Sequence, residues 1–338
     1  MTKVLVAEKI GASGIELLRE RFEVDTAFDQ DDFDLRARIG EYDGILIRSA
    51  TKMTSELIEA GTRLKVIGRA GVGVDNVDVP AASKRGILVV NAPQSNVVTA
   101  AEHTLAMLLA LARNVPQAHA ALVAGEWARS KFSGVELMDK TLGVLGFGRI
   151  GQLVAERARS FGMKVLAMDP VVTAQRFEEL GVERANDAAE VYARADFITI
   201  HLPKNPSTID MLDAEAFAAM KPGVRIVNVA RGGIVNETDL HAALLDGTVA
   251  GAALDVFDEE PKTESPLFAL GNVVVTPHLG ASTAEATDRA GYQAAEHTMA
   301  LLLALARNVP QAHAALVGGE WARSRFSGVE LMDKTLGV

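Results

Sequence analysis

The stretch Thr141-Leu142-Gly143-Val144-Leu145-Gly146-Phe147-Gly148-Arg149-Ile150-Gly151 decides the fold. An aliphatic run of strand character meets three glycines in G-x-G-x-x-G spacing, and a helical pattern over 149–161 opens directly behind them. In such a strand–turn–helix, Gly146 permits the tight turn, Gly148 lets backbone approach a pyrophosphate, and Gly151 lets helix and strand pack closely. The helix N-terminus offers unpaired N–H groups and a partial positive charge to the phosphates. Asp169 ends the next strand, KVLAMD, 18 residues beyond Gly151. A carboxylate there accepts hydrogen bonds from adenosine-ribose hydroxyls and repels a 2′-phosphate. The residues point to NAD rather than NADP.

Outward from this core, short β-branched runs alternate with helical patterns, the signature of parallel sheets covered by helices. Strands are predicted over 3–7, 45–47, 65–67 and 87–90, then over 141–145, 164–168, 197–200, 225–229, 251–254 and 273–275. Between the two series runs an apolar helix over 99–113, apolar nearly all round, which calls for burial on most sides. Pro116 and the stretch around Gly125 are expected to break that pattern. A domain boundary is placed near 96–100, and a second helix of like character starts near Ala284. The length of 338 residues agrees with two domains. Residues 294–338 nearly copy 100–144; only Leu105/Met299, Met107/Leu301, Ala124/Gly318 and Lys131/Arg325 differ. One copy at one distance is not a solenoid.

Composition removes whole classes of function. With 34 basic and 44 acidic residues the net charge is −10, which argues against nucleic acid or anionic membrane as a partner. The absence of cysteine excludes disulfides, thiolate nucleophiles and cysteine-ligated metals. No metal site is expected. The longest apolar runs, 105–112 and 299–306, are eight residues each, far short of a membrane span. The N-terminal apolar run, 4–7, is too short for a signal-peptide core. The expectation is a soluble, cytoplasmic protein.

Three further loops fall at the carboxyl ends of predicted strands, where open α/β sheets bind ligands. They carry Arg231, Glu260 and His278. The planar fork of an arginine suits a substrate carboxylate. A histidine can take or return a hydroxyl proton near neutral pH, and a neighbouring carboxylate fixes its tautomer. Each residue taken singly also has an ordinary reading as a solvated or packing side chain. His103, His119, His297 and His313 show no metal-ligand spacing and read as structural or exposed. His201 reads as bordering the adenine side, and Trp127 and Trp321 as packing anchors at a subunit contact.

At this point the chain resembles the D-isomer-specific 2-hydroxyacid dehydrogenases, and within them the branch that oxidises 3-phosphoglycerate. The matching segments are RSATKMT (48–54), GRAGVGVDNVDV (68–79), VVNAPQSNVVTAAEHTLAMLLALAR (89–113), GEWARSKFSGVEL (125–137), LGVLGFGRIGQ (142–152), HLPKNPST (201–208), NVARGGIVNE (228–237), ALDVFDEEP (253–261) and TPHLGASTAEATDRAG (276–291). The match runs from residue 1 to about 293. The resemblance implies an α/β protein of two parallel-sheet domains, with a Rossmann NAD-binding domain (98–287) inserted into a smaller flavodoxin-like substrate domain (1–97 plus about 288–306). The tail 307–338 then has no family slot; it is expected to be loosely attached and dispensable.

The resemblance also implies roles. Arg231 matches the substrate-carboxylate arginine, His278 the acid/base, and Glu260 its partner, with Glu259 solvated. Asp255 matches the residue that holds the nicotinamide carboxamide. Arg149 and Ile150 match pyrophosphate positions; Leu202, Val229, Ala230, Gly280, Ala281 and Val72 match other cofactor-lining positions. Arg48, Ser49, Arg69, Gly71 and Asn96 match the substrate pocket, and Arg129 or Lys131 would reach a substrate phosphate in a neighbouring subunit. The implied partner is a small phosphorylated 2-hydroxy acid, and the assembly a homodimer or homotetramer held partly by 99–132. Two other functions stay open: reduction of another small 2-oxo acid such as hydroxypyruvate or glyoxylate, and NADH binding with weak catalysis. Many phosphoglycerate-oxidising members continue into serine-binding domains. This sequence stops before one, so serine feedback is not expected.

Overall fold

The computed structural model describes residues 2–30 and 32–306, which fall into two compact units: 2–96 with 283–306, and 97–282. In chain order the second is inserted into the first.

The first unit is built on five parallel strands, β1 (Lys3–Val6), β2 (Glu23–Thr26), β3 (Gly44–Ile47), β4 (Val66–Arg69) and β5 (Leu88–Asn91), in the order β2-β1-β3-β4-β5. Val4, Leu5, Val6, Ile45, Leu46, Ile47, Val66 and Ile67 are fully buried. Such continuous apolar runs suit strands covered on both faces. The returning helix Ala284–Ala306 packs on the Ala12–Arg19 helix and on β4 and β5. β2 was not foreseen. It is a sheet edge, and its sequence EVDT lacks the aliphatic run that marked the others.

The second unit holds seven parallel strands: β6 (Thr141–Leu145), β7 (Lys164–Met168), β8 (Glu183–Arg184), β9 (Phe197–Ile200), β10 (Val224–Asn228), β11 (Val249–Leu254) and β12 (Val273–Val275). Their order is β12-β11-β10-β9-β6-β7-β8. Strand order reverses between β6 and β9, and the loops at the carboxyl ends of strands flanking such a point form a ligand crevice. β8, two exposed residues at the edge, also escaped prediction.

The apolar helix spans Val97–Arg113 and is buried on most sides, with Val98, Glu102, Ala106 and Arg113 exposed. One expectation next to it needs correction. Pro116 does not end helical structure; it opens the helix Val115–Val123. Proline in a first helical turn removes an N–H that had no intrahelical partner to lose. The duplicated tail 307–338, with His313 and Trp321, lies outside the described residues.

Candidate active site

The glycine loop leaves β6 and turns into the helix Arg149–Ser160. Gly146 has φ +93°, a conformation that disfavours a side chain, and a Cβ there would meet the His201 carbonyl. A Cβ at Gly151 would overlap the Gly146 carbonyl, whereas one at Gly148 would meet no atom within 4 Å. Gly148 has no side chain to cap this helix, and a helix N-terminus at this place suits an anion. Arg149 and Ile150 form its first turn. Asp169 follows β7 and accepts the Phe147 N–H (2.8 Å) on Oδ2 and the Val171 N–H (2.9 Å) on Oδ1. Its carboxylate thus steadies the glycine loop from below. Leu202 lies against Gly146. His201 sits beside the Thr199 hydroxyl, and burial pushes its pKa down to about 3, so it stays neutral and out of acid/base work at ordinary pH.

The carboxyl ends of β10, β11 and β12 bring the three chemically capable groups into one neighbourhood. Glu260 Oε2 lies 2.6 Å from His278 Nδ1, and Glu260 Oε1 accepts the Phe257 N–H at 3.0 Å. Burial raises the Glu260 pKa, the hydrogen bonds from His278 and Phe257 lower it, and the net shift is downward. The loop is clasped from outside: Lys262 Nζ donates to Glu237 (2.8 Å) and Asp258 (2.6 Å). Glu259 is exposed. Gly232, next to Arg231, fits so closely that a Cβ would overlap the Phe257 carbonyl, so the arginine loop rests on the glutamate loop. Arg231 Nη1 donates to the Ala230 carbonyl at 2.7 Å, beside Val229.

Asp255, fully buried at the end of β11, organises the histidine loop. Its Oδ1 accepts the Leu279 N–H (2.7 Å) and the Thr276 hydroxyl (2.5 Å); its Oδ2 accepts the Gly280 N–H (2.8 Å). Ala281 follows. Burial raises the Asp255 pKa, but donors from His103, Thr276, Leu279 and Gly280 outweigh it and the net shift is downward. A carboxyl whose folded pKa lies below its unfolded value stabilises the fold above that unfolded value and stops doing so as pH falls through the folded one. Asp255→Asn is therefore expected to unfold more readily than the parent at neutral pH, with the gap narrowing below about pH 4. Denaturant titrations across that range check it; a gap that persists into acid contradicts it.

His103 has a structural place, its Nε2 lying 3.3 Å from Asp255 Oδ1, but nothing in the sequence pointed to the carboxylate it meets. The partner is 152 positions away, so spacing along the chain carried no signal.

The first unit gathers its own set at the carboxyl ends of β3, β4 and β5. Arg48 and Ser49 lie on a loop held by Glu8, which accepts the N–H groups of Arg48 (2.9 Å), Ala50 (3.1 Å) and Thr51 (2.8 Å). Asn76 Nδ2 donates to the Arg48 and Thr51 carbonyls, both at 2.6 Å. Neither Glu8 nor Asn76 was picked out from the sequence. The Arg69 side chain crosses Gly71 so closely that a Cβ there would overlap it. The Val72 carbonyl accepts from Asn91 at 2.6 Å, and Asn96 Oδ1 is buried without a partner among the described residues. Arg129 and Lys131 are exposed on the turn Arg129–Phe132 of the second unit, with Lys131 paired to Glu126 at 3.4 Å.

Comparison with known proteins bears on this arrangement. Residues 105–280 match the family model described as D-isomer specific 2-hydroxyacid dehydrogenase, NAD binding domain. D-3-phosphoglycerate dehydrogenase of Mycobacterium tuberculosis is 53% identical over 293 residues, covering 87% of this chain and 55% of that protein. Its counterpart in Methanocaldococcus jannaschii is 48% identical over 310 residues, covering 91% and 59%. The chain spans about half the length of the curated relatives it matches. Among solved structures, a Thermus thermophilus protein superposes with a TM-score of 0.81 at 35% identity, covering 89% of this chain and 97% of that one. A glyoxylate reductase of Paecilomyes thermophila gives 0.78 at 29%, covering 88% and 94%.

Proposed function

Because the chain belongs to the D-isomer specific 2-hydroxyacid dehydrogenases, we propose that it oxidises 3-phosphoglycerate at C2 to 3-phosphohydroxypyruvate, in L-serine biosynthesis. The observation that carries this reading is the His278–Glu260 pair at 2.6 Å, with the Arg231 loop packed on the Glu260 loop. Its support for the phosphorylated substrate is the 53% identity to D-3-phosphoglycerate dehydrogenase.

The residues present fit NAD: an open cradle at Gly148, a helix N-terminus without a side-chain cap, and Asp169 at the end of β7. Gly146, Gly148, Arg149, Ile150 and Gly151 would hold its pyrophosphate, and Asp169 its adenosine ribose. Leu202, Val229, Ala230, Gly280, Ala281 and Val72 would line it, and Asp255 Oδ2, with acceptor capacity remaining, would take its carboxamide. When bound, NAD supplies the acceptor for the C2 hydride. Arg231 grips the substrate carboxylate with paired N–H donors. Glu260 accepts the His278 Nδ1–H, which turns the Nε2 lone pair toward the C2 hydroxyl; His278 takes that proton as the carbonyl forms. Glu260 carries the compensating charge while the ring is protonated. Arg48, Ser49, Arg69, Gly71 and Asn96 are assigned to the substrate side, with Arg129 or Lys131 reaching the phosphate from a second subunit.

NADH absorbance with a panel of 3-phosphoglycerate, 2-oxoglutarate, hydroxypyruvate and glyoxylate tests the assignment. The proposal expects NAD to be reduced with 3-phosphoglycerate, and the three 2-oxo acids to oxidise NADH with lower kcat/KM than 3-phosphoglycerate reaches in its own direction. A second reading, reduction of glyoxylate or hydroxypyruvate, draws on the likeness to the Paecilomyes glyoxylate reductase; a preference for either compound would establish it instead.

Asp169→Ala is expected to weaken NADH binding about tenfold or more and to narrow the preference over NADPH, since an acceptor and a repelling charge both go. The same change frees the Phe147 and Val171 amides, so Asp169→Asn, which keeps an acceptor, separates loop support from charge. An unchanged NADH/NADPH affinity ratio in both variants removes Asp169 from the ribose.

We assign a homodimer, or a tetramer built from it, held partly by the segment 99–132. Ala106, Leu109, Ala110, Val115 and Ala118, with Arg113, line a mostly apolar groove, and Leu122, Val123 and Trp127 are exposed beyond it. Apolar surface gathered in this way marks an interaction site. Light scattering at micromolar concentration should give twice the chain mass or more; a monomer contradicts the assignment. No helix among the described residues is long and apolar enough to cross a membrane. A cytoplasmic location fits the reaction and the cysteine-free composition.

A further inference from the structure

His103 stands on the Val97–Arg113 helix, which packs on β10, β11 and β12. Its Nε2 lies 3.3 Å from Asp255 Oδ1 and 3.2 Å from Thr276 Oγ1. The Thr276 hydroxyl has a single proton, and at 2.5 Å that proton goes to Asp255 Oδ1. Nε2 therefore faces only lone pairs and has to be a donor, which fixes the ring with its proton on Nε2. The carboxylate so addressed is the one that holds the Leu279 and Gly280 amides. Between Thr276 and those amides sits His278, at φ +54°. Its own N–H donates to the Asp255 backbone carbonyl at 2.8 Å. A non-glycine residue in the left-handed region persists only where its surroundings over-determine it.

We propose that His103 is a positioning residue for His278: by donating to Asp255 and Thr276 it fixes the carboxylate that holds residues 276–280 in their left-handed turn. Removing it leaves a buried carboxylate one donor short, and the turn loosens where the acid/base residue is carried. The catalytic consequence rests on the function proposed above; the anchoring of the loop does not.

The chain supplies its own control. His297 occupies the same Glu-His-Thr sequence, 296–298, in the Ala284–Ala306 helix of the other unit. There its Nδ1 meets the Asn91 carbonyl at 2.8 Å, and no carboxylate contacts it among the described residues. Substitutions at 103 and 297 thus remove the same side chain from nearly identical local sequences.

The test compares His103→Leu, His103→Gln and His297→Leu. Amide hydrogen exchange is followed over residues 276–281 in cofactor-free protein, and kcat and KM are measured with the substrate that the panel selects. His103→Leu is expected to speed exchange at Leu279 and Gly280 about tenfold or more, because a hydrogen bond to a buried charge is lost. It should lower kcat ~10–100-fold with KM within about threefold. His103→Gln, which keeps an N–H donor, should recover most of both effects, and His297→Leu should leave both unchanged. Should His103→Leu not fold, Thr276→Val removes the other side-chain donor at the same carboxylate and is read by the same exchange. Unchanged exchange over 276–281 in the position-103 variants, or in Thr276→Val where it replaces His103→Leu, overturns the proposal. Equal effects from positions 103 and 297 overturn it too, by reducing the role to helix packing. If no substrate turns over, the reaction assignment fails while the exchange result still decides the anchoring.

Discussion

Replacing His278 by alanine is expected to lower turnover by ~10²–10⁴ while leaving NADH affinity within a few-fold. The size follows from the role: without the imidazole, the C2 hydroxyl must lose its proton to water as the hydride departs. The pairing with Glu260 is the geometric basis, since a carboxylate 2.6 Å from Nδ1 leaves Nε2 as the atom able to accept. The truncation sits on an exposed part of its loop, and the backbone bonds of residue 278 to Asp255 do not need the ring. Fluorescence titration with NADH separates binding from chemistry. Turnover within threefold of the parent would take His278 out of the mechanism.

A methyl group at Gly232 should be nearly as damaging by another route. Gly232→Ala drives a Cβ into the Phe257 carbonyl, and both partners are backbone, so neither can swing aside. The loops carrying Arg231 and Glu260 must part. Activity is expected to fall by ~10² or more, because misplacement of about an ångström between reacting groups costs that much. Stability should fall by about 2–3 kcal/mol, the range for overpacking a close backbone approach. Thermal unfolding and steady-state kinetics on the same preparation check both parts. A variant with parental Tm and activity would show that the two loops do not depend on each other.

The sequence was informative where one element carried its own signal. The buried strands β6, β7 and β9 are aliphatic runs closed by glycine, aspartate or histidine, and their ends were read to the residue. The glycine loop and Asp169 were legible because strand, turn, helix and acid follow one another within 30 residues. Two edge strands were not: EVDT in β2 and the two residues of β8 have too little burial to impose a pattern, whereas the apolar edges β5 and β12 were read. Side-chain pairs joining distant elements were also invisible. Glu8 holds a loop some 40 positions away, and His103 reaches Asp255 across 152. A histidine on a helix face looks the same at 103 and 297 in one dimension; only the strands packed against it decide whether it meets a carboxylate or a carbonyl. Arg231, Glu260 and His278 were singled out from their loops, but their proximity follows from the β10-β11-β12 order.

The most direct test of the account is the fate of the hydrogen on C2. Purified protein is incubated with NAD and 3-phosphoglycerate carrying deuterium at C2, and the reduced cofactor is analysed by mass spectrometry. Direct transfer, with His278 handling only the hydroxyl proton, predicts that the nicotinamide ring gains the deuterium and that His278→Ala forms the same product slowly. Reduced cofactor without deuterium, or none from any 2-hydroxy acid offered, would contradict it.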